Sequence, residues 1–226
     1  MKIAVLGTGM VGKTIAHKLA SLGHDVALGT RDPAATLAKT EPGAFGDPPV
    51  AAWLESAPGV AVATFADAVR DAALVFVATK GDATLAVLEG AGAALDGKIV
   101  VDISNPLDFS RGMPPRLFVS NDDSLGEQAQ RAFPKAKIVK TLNIVSAPVM
   151  VAPSLLGEAQ PTMFVSGNDA DAKRQVTQVL TEWLGWEQVI DLGDITTARG
   201  TEMLLPLWVR AFGALGTPMF GFRLVR

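Results

Sequence analysis

The sequence predicts an α/β fold built on a doubly wound parallel sheet, with a small helical extension at the C-terminus. Short apolar runs rich in β-branched residues alternate with stretches of helical periodicity, which is typical of strands joined by right-handed helical crossovers. The first apolar run leads through a glycine-rich turn into a helix, a strand–turn–helix order that is typical of the first unit of such a sheet. One more helical stretch follows the last predicted strand. These three observations carry the fold prediction.

The elements of the first half follow from β-branched runs and glycine stops. A strand is predicted over residues 2–7, because the run KIAVLG closes on glycine, and a helix over residues 10–23 with Gly23 as its stop. Four prolines in residues 41–59 predict a surface loop or short helix that interrupts the rhythm. The remaining elements of this half are strands over 25–30, 61–65, 73–79 and 98–104, with a helix over 82–97.

The second half begins with a Pro- and Gly-containing loop over residues 105–122. A helix follows, capped by Asp123 or Ser124. The last predicted helix, over residues 196–216, should be broken or kinked near Pro206. Between these helices the pattern predicts strands over 137–145, 162–169 and 187–193 and a helix over 170–185.

Composition excludes several classes of function. The net charge of −3 gives no reason to expect binding to nucleic acid or to anionic membranes. The absence of cysteine excludes disulfides, thiolate catalysis and cysteine-ligated metals, and no metal site is predicted. Neither a signal peptide nor a long apolar stretch is recognisable, so we expect a cytoplasmic protein without a membrane span. The hydrophobic fraction of 49% suggests that some apolar surface is buried in a dimer.

The first glycine-rich turn fits two incompatible signatures. Gly7, Gly9 and Gly12 form G-x-G-x-x-G, the dinucleotide-binding fingerprint, whereas Gly7, Gly12, Lys13 and Thr14 form G-x-x-x-x-G-K-T, the phosphate loop of an NTPase. Both signatures direct backbone N–H groups and the positive end of a helix towards phosphate. The choice between them therefore depends on the residues that follow.

The end of the second predicted strand favours NADP(H). An NTPase would need an acid that ends an apolar strand, for which Asp102 is a candidate. In NAD enzymes an acid about 20 residues after the glycines binds the ribose, but here Thr30 and Arg31 stand at that place, with Arg31 19 residues after Gly12. A hydroxyl and a guanidinium suit a 2′-phosphate. Asp32, followed by Pro33, is interpreted as a helix N-cap. A solvated surface role for Arg31 remains the alternative.

The reaction is less constrained than the cofactor, and the residue inventory leaves three possibilities. Direct hydride transfer to a second redox cofactor needs geometry more than side-chain acids, and the chain has no tyrosine and only two histidines, both beside the first helix. A reductase of a small carbonyl or imine could take its proton from Lys80, Lys140 or Asp102. A non-catalytic NADPH-binding sensor is the third possibility.

Several segments together resemble one family. The runs KIVVDISNPLDFSRG, VKTLNIVSAPVM, FVSGNDADAK and EMLLPLWVRAFGALG are similar to those of the coenzyme F420-dependent NADP oxidoreductases. They also resemble the cytoplasmic reductase portion of the six-transmembrane ferric reductases. The resemblance spans nearly the whole chain, and its SNP, KTLN and GND segments are more specific than the glycine loop.

The resemblance implies NADP(H) as cofactor and F420, or a flavin, as the hydride acceptor, with no side chain acting as catalyst. Thr8, Thr30 and Arg31 would contact the 2′-phosphate, and the deazaflavin would stack on the nicotinamide in a pocket bordered by Asn105, Pro106 and Leu107. The implied cofactor-binding residues are Gly7, Thr8, Gly9, Met10, Val11, Gly12, Thr30, Arg31, Ala78, Thr79, Asn105, Asn143 and Ile144.

The resemblance also implies a division of the chain. Residues 1–145 would form the NADP-binding domain, and residues 146–226 would complete the acceptor pocket and form a homodimer interface. The C-terminal helix with Leu205, Pro206 and Trp208 would lie in that interface, with an internal core position as the alternative. The Pro-rich segment 41–59 and the loop after Pro106 depart from the archaeal members of the family and could reshape the acceptor pocket.

Overall fold

Ten strands and ten α-helices form the regular structure of the residues that the computed structural model describes, which are 1–43, 46–157 and 160–225. The strands are β1 (Lys2–Leu6), β2 (Asp25–Thr30), β3 (Val60–Thr64), β4 (Leu74–Val77), β5 (Ile99–Asp102), β6 (Leu107–Asp108), β7 (Arg116–Leu117), β8 (Lys137–Lys140), β9 (Met163–Ser166) and β10 (Val189–Gly193). The helices are α1 (Met10–Ser21), α2 (Pro33–Leu37), α3 (Val50–Leu54), α4 (Phe65–Arg70), α5 (Gly81–Ala91), α6 (Leu125–Ala132), α7 (Ala147–Val151), α8 (Ala170–Gln178), α9 (Ala198–Met203) and α10 (Leu205–Leu215).

Eight of the strands form a single sheet in the order β10-β9-β8-β5-β4-β1-β2-β3, which confirms the doubly wound α/β prediction. Six of them pair in parallel, whereas β9 pairs antiparallel with β8 and parallel with β10. The expectation of parallel strands is therefore wrong for the last two. Parallel pairing needs a long crossover, usually a helix, but the described part of the connection between β8 and β9 holds only the five-residue α7 and a 3₁₀ turn.

Helices cover both faces of the sheet, so the central strands are buried on both sides. In β1, Ile3 and Val5 belong to one hydrophobic cluster, while Ala4 and Leu6 belong to the cluster on the opposite face. All four residues are at most 1% exposed. This arrangement explains why the strands are continuous apolar runs rather than alternating patterns.

Several predicted elements end earlier than expected because the backbone turns. The strand predicted over 137–145 ends at Lys140, and Leu142 adopts a φ of 61°, which no strand accommodates. Helix α5 ends at Ala91 because Gly92 has a φ of 56°, and the chain continues as a 3₁₀ turn. The predicted loop over 105–122 contains the two-stranded hairpin β6–β7, which the sequence analysis did not anticipate.

The Pro-rich segment and the C-terminal helix agree with expectation. Segment 41–59 contains the short helix α3, as the prediction of a loop or short helix allows. Residues 44 and 45 of the segment lie outside the described residues. The predicted C-terminal helix breaks at Leu204, ahead of Pro206, into α9 and α10. Within the described ranges, no helix combines the length and apolarity needed to cross a membrane.

Candidate functional site

The site lies at the edge of the sheet where parallel strands end. Ligands of doubly wound sheets bind outside the carboxyl ends of the strands. Gly7 follows β1, Thr30 ends β2, Ala78 follows β4, and Asn105 and Asn143 lie just beyond β5 and β8. Because these strands are neighbours and run in one direction, the fold brings these residues together along one edge of the sheet, the candidate cleft.

The glycine turn combines tight packing with one open position. Gly7 has a φ of 125°, and a Cβ there would lie 2.4 Å from the carbonyl oxygen of Ala78. A Cβ on Gly12 would lie 1.9 Å from the carbonyl oxygen of Gly7. A Cβ on Gly9, by contrast, would meet nothing within 4 Å. Two glycines therefore let strand and helix approach each other, and the third leaves space above the helix.

That open space suits a pyrophosphate. Gly9 is the N-cap of α1 and provides no side-chain cap. The N–H groups of the first turn, including those of Met10 and Val11, have no partner within the helix and sit at its positive end. Thr8 is half-buried beside them. The turn can therefore receive an anionic phosphate group through backbone donors.

The two charged residues that an NTPase would need, Lys13 and Asp102, are both paired with other groups in the structure. Lys13 is 5% exposed, and its Nζ pairs with the carboxylate of Asp47 and donates to the carbonyl of Pro48 at 2.5 Å. This ammonium is held by the Pro-rich segment, and Asp102 is held in an ion pair with Lys140. Neither the lysine nor the acid is positioned for an NTPase reaction.

An exposed cation, Arg31, directly follows the end of β2. Thr30 is 8% exposed, and its hydroxyl oxygen lies 2.7 Å from that of Thr36. Arg31 is exposed. Asp32 is the N-cap of α2, as predicted, and its carboxylate accepts the N–H of Ala35 at 3.0 Å. The acid is therefore engaged in capping, and Arg31 is the charged side chain that remains accessible.

Two asparagines are paired at the other end of the cleft. The amide of Asn105 donates to the carbonyl of Asn143 at 2.8 Å, and the amide of Asn143 donates to the side-chain oxygen of Asn105 at 2.9 Å. Gly81 packs against this loop, since a Cβ there would lie 2.0 Å from the carbonyl oxygen of Asn105. The half-buried Thr79 lies 3.1 Å from the Thr84 hydroxyl, and Ile144 is buried in the core.

Of the three residues considered as proton donors, Lys140 and Asp102 form a buried ion pair and Lys80 is exposed. Nζ of Lys140 is fully buried, 2.9 Å from Asp102 and 2.9 Å from Glu202, and donates to the Ser104 carbonyl at 2.5 Å. Burial alone would lower the pKa of Lys140, but the two carboxylates outweigh this effect and raise the pKa. The lysine therefore stays charged at neutral pH. Lys80 is exposed at the N-cap of α5.

Comparison with known proteins identifies the family. The model of the family "NADP oxidoreductase coenzyme F420-dependent" matches residues 2–106. A crystal structure of a protein from Arthrobacter sp. FB24, provisionally named an F420-dependent NADP reductase, is 57% identical, covers 100% of both chains and superposes with a TM-score of 0.94. The chain belongs to the F420-dependent NADP oxidoreductase family. The resemblance inferred from its motifs is thereby confirmed, and the protein is an NADP-dependent oxidoreductase.

Two more distant relatives of this F420-dependent family member are named reductases. The F420-dependent NADP reductase of Methanothermobacter marburgensis is 27% identical over 217 residues, which cover 92% of this chain and 91% of that protein. Metalloreductase STEAP3 of Rattus norvegicus is 28% identical over 212 residues, which cover 92% of this chain. The chain spans only 38% of the length of STEAP3.

Sequence analysis missed several residues of the site because their partners are distant in the chain. Glu202 reaches Lys140 from α9, and Asp47 reaches Lys13 from the Pro-rich segment. Ser104 precedes Asn105 and donates to Asp102, and Gly81 packs against the carbonyl of Asn105. Ser104 could have been predicted, because it precedes Asn105 in the SNP segment. No local sequence pattern indicates the contacts of Glu202 and Asp47.

Proposed function

We propose that this F420-dependent NADP oxidoreductase transfers hydride directly between NADP(H) and a deazaflavin of the F420 type. The observation that carries the proposal is the composition of the cleft. Backbone donors and a cation lie at one end, a neutral amide pair lies at the other, and the acids and lysines considered for proton transfer are locked away or exposed. Such a cleft supports transfer between two rings, which needs alignment rather than a side-chain acid.

The chain's own residues would bind and orient the dinucleotide. The glycine turn would hold the pyrophosphate, Thr8, Thr30 and Arg31 the 2′-phosphate, and Ala78 and Thr79 the ribose on the nicotinamide side. Asn105 and Asn143 would border the nicotinamide. Ile144 would contribute through packing beneath the amide pair, since its side chain is buried. No residue is proposed as a catalyst.

The proposed hydride transfer needs no proton donor from the protein. Hydride leaves C4 of the reduced nicotinamide for the acceptor ring, NADPH is oxidised, and the acceptor ring is reduced. The proton that completes reduction of the acceptor is taken from solvent. Two relatives whose names include F420-dependent NADP reductase support F420 as the acceptor, and a flavin is the second candidate of the same chemical type.

A labelling experiment tests this proposal. The purified protein is mixed anaerobically with NADPH carrying deuterium at C4, once in each epimer, and with F420, FMN or a cyclic imine. We expect rapid bleaching of F420 and deuterium on its ring from one epimer only. Reduction of the imine in preference to F420, with rates that fall on Lys80→Met, would instead favour the carbonyl or imine reductase.

A further inference from the structure

A buried ion cluster lies directly behind the amide pair. It consists of Asp102 at the end of β5, Lys140 at the end of β8 and Glu202 in α9, and their side chains are at most 2% exposed. Buried ions of this kind are costly, and well-packed apolar residues often replace them without loss of stability. A role in holding the neighbouring loop would therefore explain what the cluster contributes.

The second carboxylate of the cluster is compensated by a helix. Glu202 accepts the N–H of Leu125 at 2.8 Å and that of Gly126 at 3.0 Å, at the N-terminus of α6. Negative charge is stabilised at this end of a helix. Each charged member of the cluster therefore has partners, and β5, β8, α6 and α9 meet at the cluster.

The cluster fixes the backbone on both sides of Ser104. The carboxylate of Asp102 accepts the Ser104 N–H at 2.9 Å and its hydroxyl at 2.6 Å. The carbonyl of the same serine accepts the Lys140 ammonium at 2.5 Å. The next residue is Asn105, whose amide pairs with Asn143, three residues after Lys140. Asn105 follows Ser104 directly, and Asn143 is joined to Lys140 through Thr141, whose N–H donates to the carbonyl of Asp102 at 3.1 Å.

We propose that Lys140 is a positioning residue for the nicotinamide half of the cofactor. It holds the Ser104 peptide so that the Asn105–Asn143 pair forms a fixed wall of the cleft. The inference rests on the proposed function, which places the nicotinamide against that pair. Lys140 touches neither cofactor nor acceptor, and the adenine end of the cleft, formed by β1 and β2, does not depend on it.

Binding of two nucleotides separates this role from a purely structural one. The fragment 2′,5′-ADP carries the 2′-phosphate but lacks the nicotinamide. For Lys140→Met we expect NADPH affinity to fall about tenfold, while 2′,5′-ADP affinity stays within about twofold. The matched control is Lys137→Met, in the same strand, whose ammonium pairs with Asp169 at 3.0 Å at the opposite edge. It should change neither affinity.

A milder variant protects the test if Lys140→Met does not fold. Ser104→Ala removes only the hydroxyl bond to Asp102, and we expect about threefold weaker NADPH binding with unchanged 2′,5′-ADP binding. Equal losses for the two nucleotides, or no loss in either variant, would overturn the positioning role. A wild-type protein that binds 2′,5′-ADP but gains nothing from the nicotinamide half would overturn the proposed function itself.

Discussion

We expect one exposed side chain, that of Arg31 after β2, to set the preference for NADPH over NADH. The adjacent acid Asp32 is engaged as the cap of α2, so it does not compete for the ribose. A charge-assisted hydrogen bond to the 2′-phosphate contributes roughly 1.5–3 kcal/mol. We therefore expect the wild type to prefer NADPH by about 10- to 150-fold.

Arg31→Ala should remove most of this preference, because it removes the cation while leaving the pyrophosphate site intact. Calorimetric titration with NADPH and NADH measures the ratio directly. Arg174→Ala is a suitable control, since that exposed arginine lies in α8 and pairs with Asp171. Equal wild-type affinities for the two nucleotides would show that the interpretation of the end of β2 is wrong.

Two glycines of the first turn are expected to serve different purposes: Gly9 leaves space for a ligand, and Gly12 allows close packing. Alanine substitutions should distinguish the two effects. A methyl group on Gly9 meets no protein atom within 4 Å, so Gly9→Ala should fold normally. That methyl group would occupy the space proposed for the pyrophosphate, and NADPH affinity should fall by at least about tenfold. Gly200→Ala, which also meets nothing within 4 Å but lies in α9, should leave binding unchanged.

Gly12→Ala should show the opposite pattern, because its methyl group would lie 1.9 Å from the carbonyl oxygen of Gly7. The backbone must move to relieve this overlap, at a cost of about 3 kcal/mol. Urea unfolding monitored by circular dichroism would detect the loss. Stability equal to that of Gly9→Ala would contradict the tight packing of α1 on β1.

At the scale of elements, a buried ion pair joins the Pro-rich segment to α1. The side chains of Lys13 and Asp47 are 6% and 13% exposed. Asp47→Asn leaves the ammonium largely buried without its counter-charge, and we expect a loss of about 3 kcal/mol in the free energy of unfolding. The double variant Lys13→Met with Asp47→Leu should recover most of it.

A double-mutant cycle in urea measures this coupling. The exposed pair of Lys2 and Asp71, at 58% and 68% exposure, is a matched control and should couple by less than about 1 kcal/mol. Additive effects at Lys13 and Asp47 would mean that the segment is held by its other contacts.

Local signals were sufficient for most elements, and long-range contacts were not. The strands from β1 to β5 and the N-caps Asp32 and Ser124 follow from propensity and spacing within a few residues. The antiparallel course of β9 depends on how its connection packs. The partnership of Lys140 with Glu202 joins β8 to α9, and no periodicity reports such a contact.

The candidate site was predicted in the same uneven way. Sequence alone was enough to name the glycine turn, Thr30 and Arg31, because all of them belong to one compact βαβ unit with a known fingerprint. Asn105 and Asn143 were named through resemblance, and their mutual hydrogen bonds became visible only in the structure. From the sequence, Lys140 and Asp102 were candidate proton donors. In the structure they form a buried ion pair with each other, so neither is available for proton transfer.

At the scale of the whole molecule, α10 is unusual because it is apolar and yet mostly accessible. Its sequence is LPLWVRAFGAL, and Leu205 is the one buried residue of this helix. Leu207 and Leu215 are 55% and 59% exposed. Trp208 stacks on Phe220 with ring centroids 5.2 Å apart. Exposed apolar side chains grouped on one helix are typical of an interface.

We expect this surface to pair with a second copy of the chain, so that the protein sediments at about twice its monomer mass of 23.6 kDa. Leu207→Glu combined with Leu215→Glu should give a monomer, because two carboxylates would be buried without partners. Leu22→Glu, at a 43% exposed position at the end of α1, should leave the dimer intact. Analytical ultracentrifugation distinguishes these states, and a monomeric wild type would contradict the prediction. If the monomeric variant still binds NADPH but no longer reduces F420, the acceptor pocket must be completed across the interface.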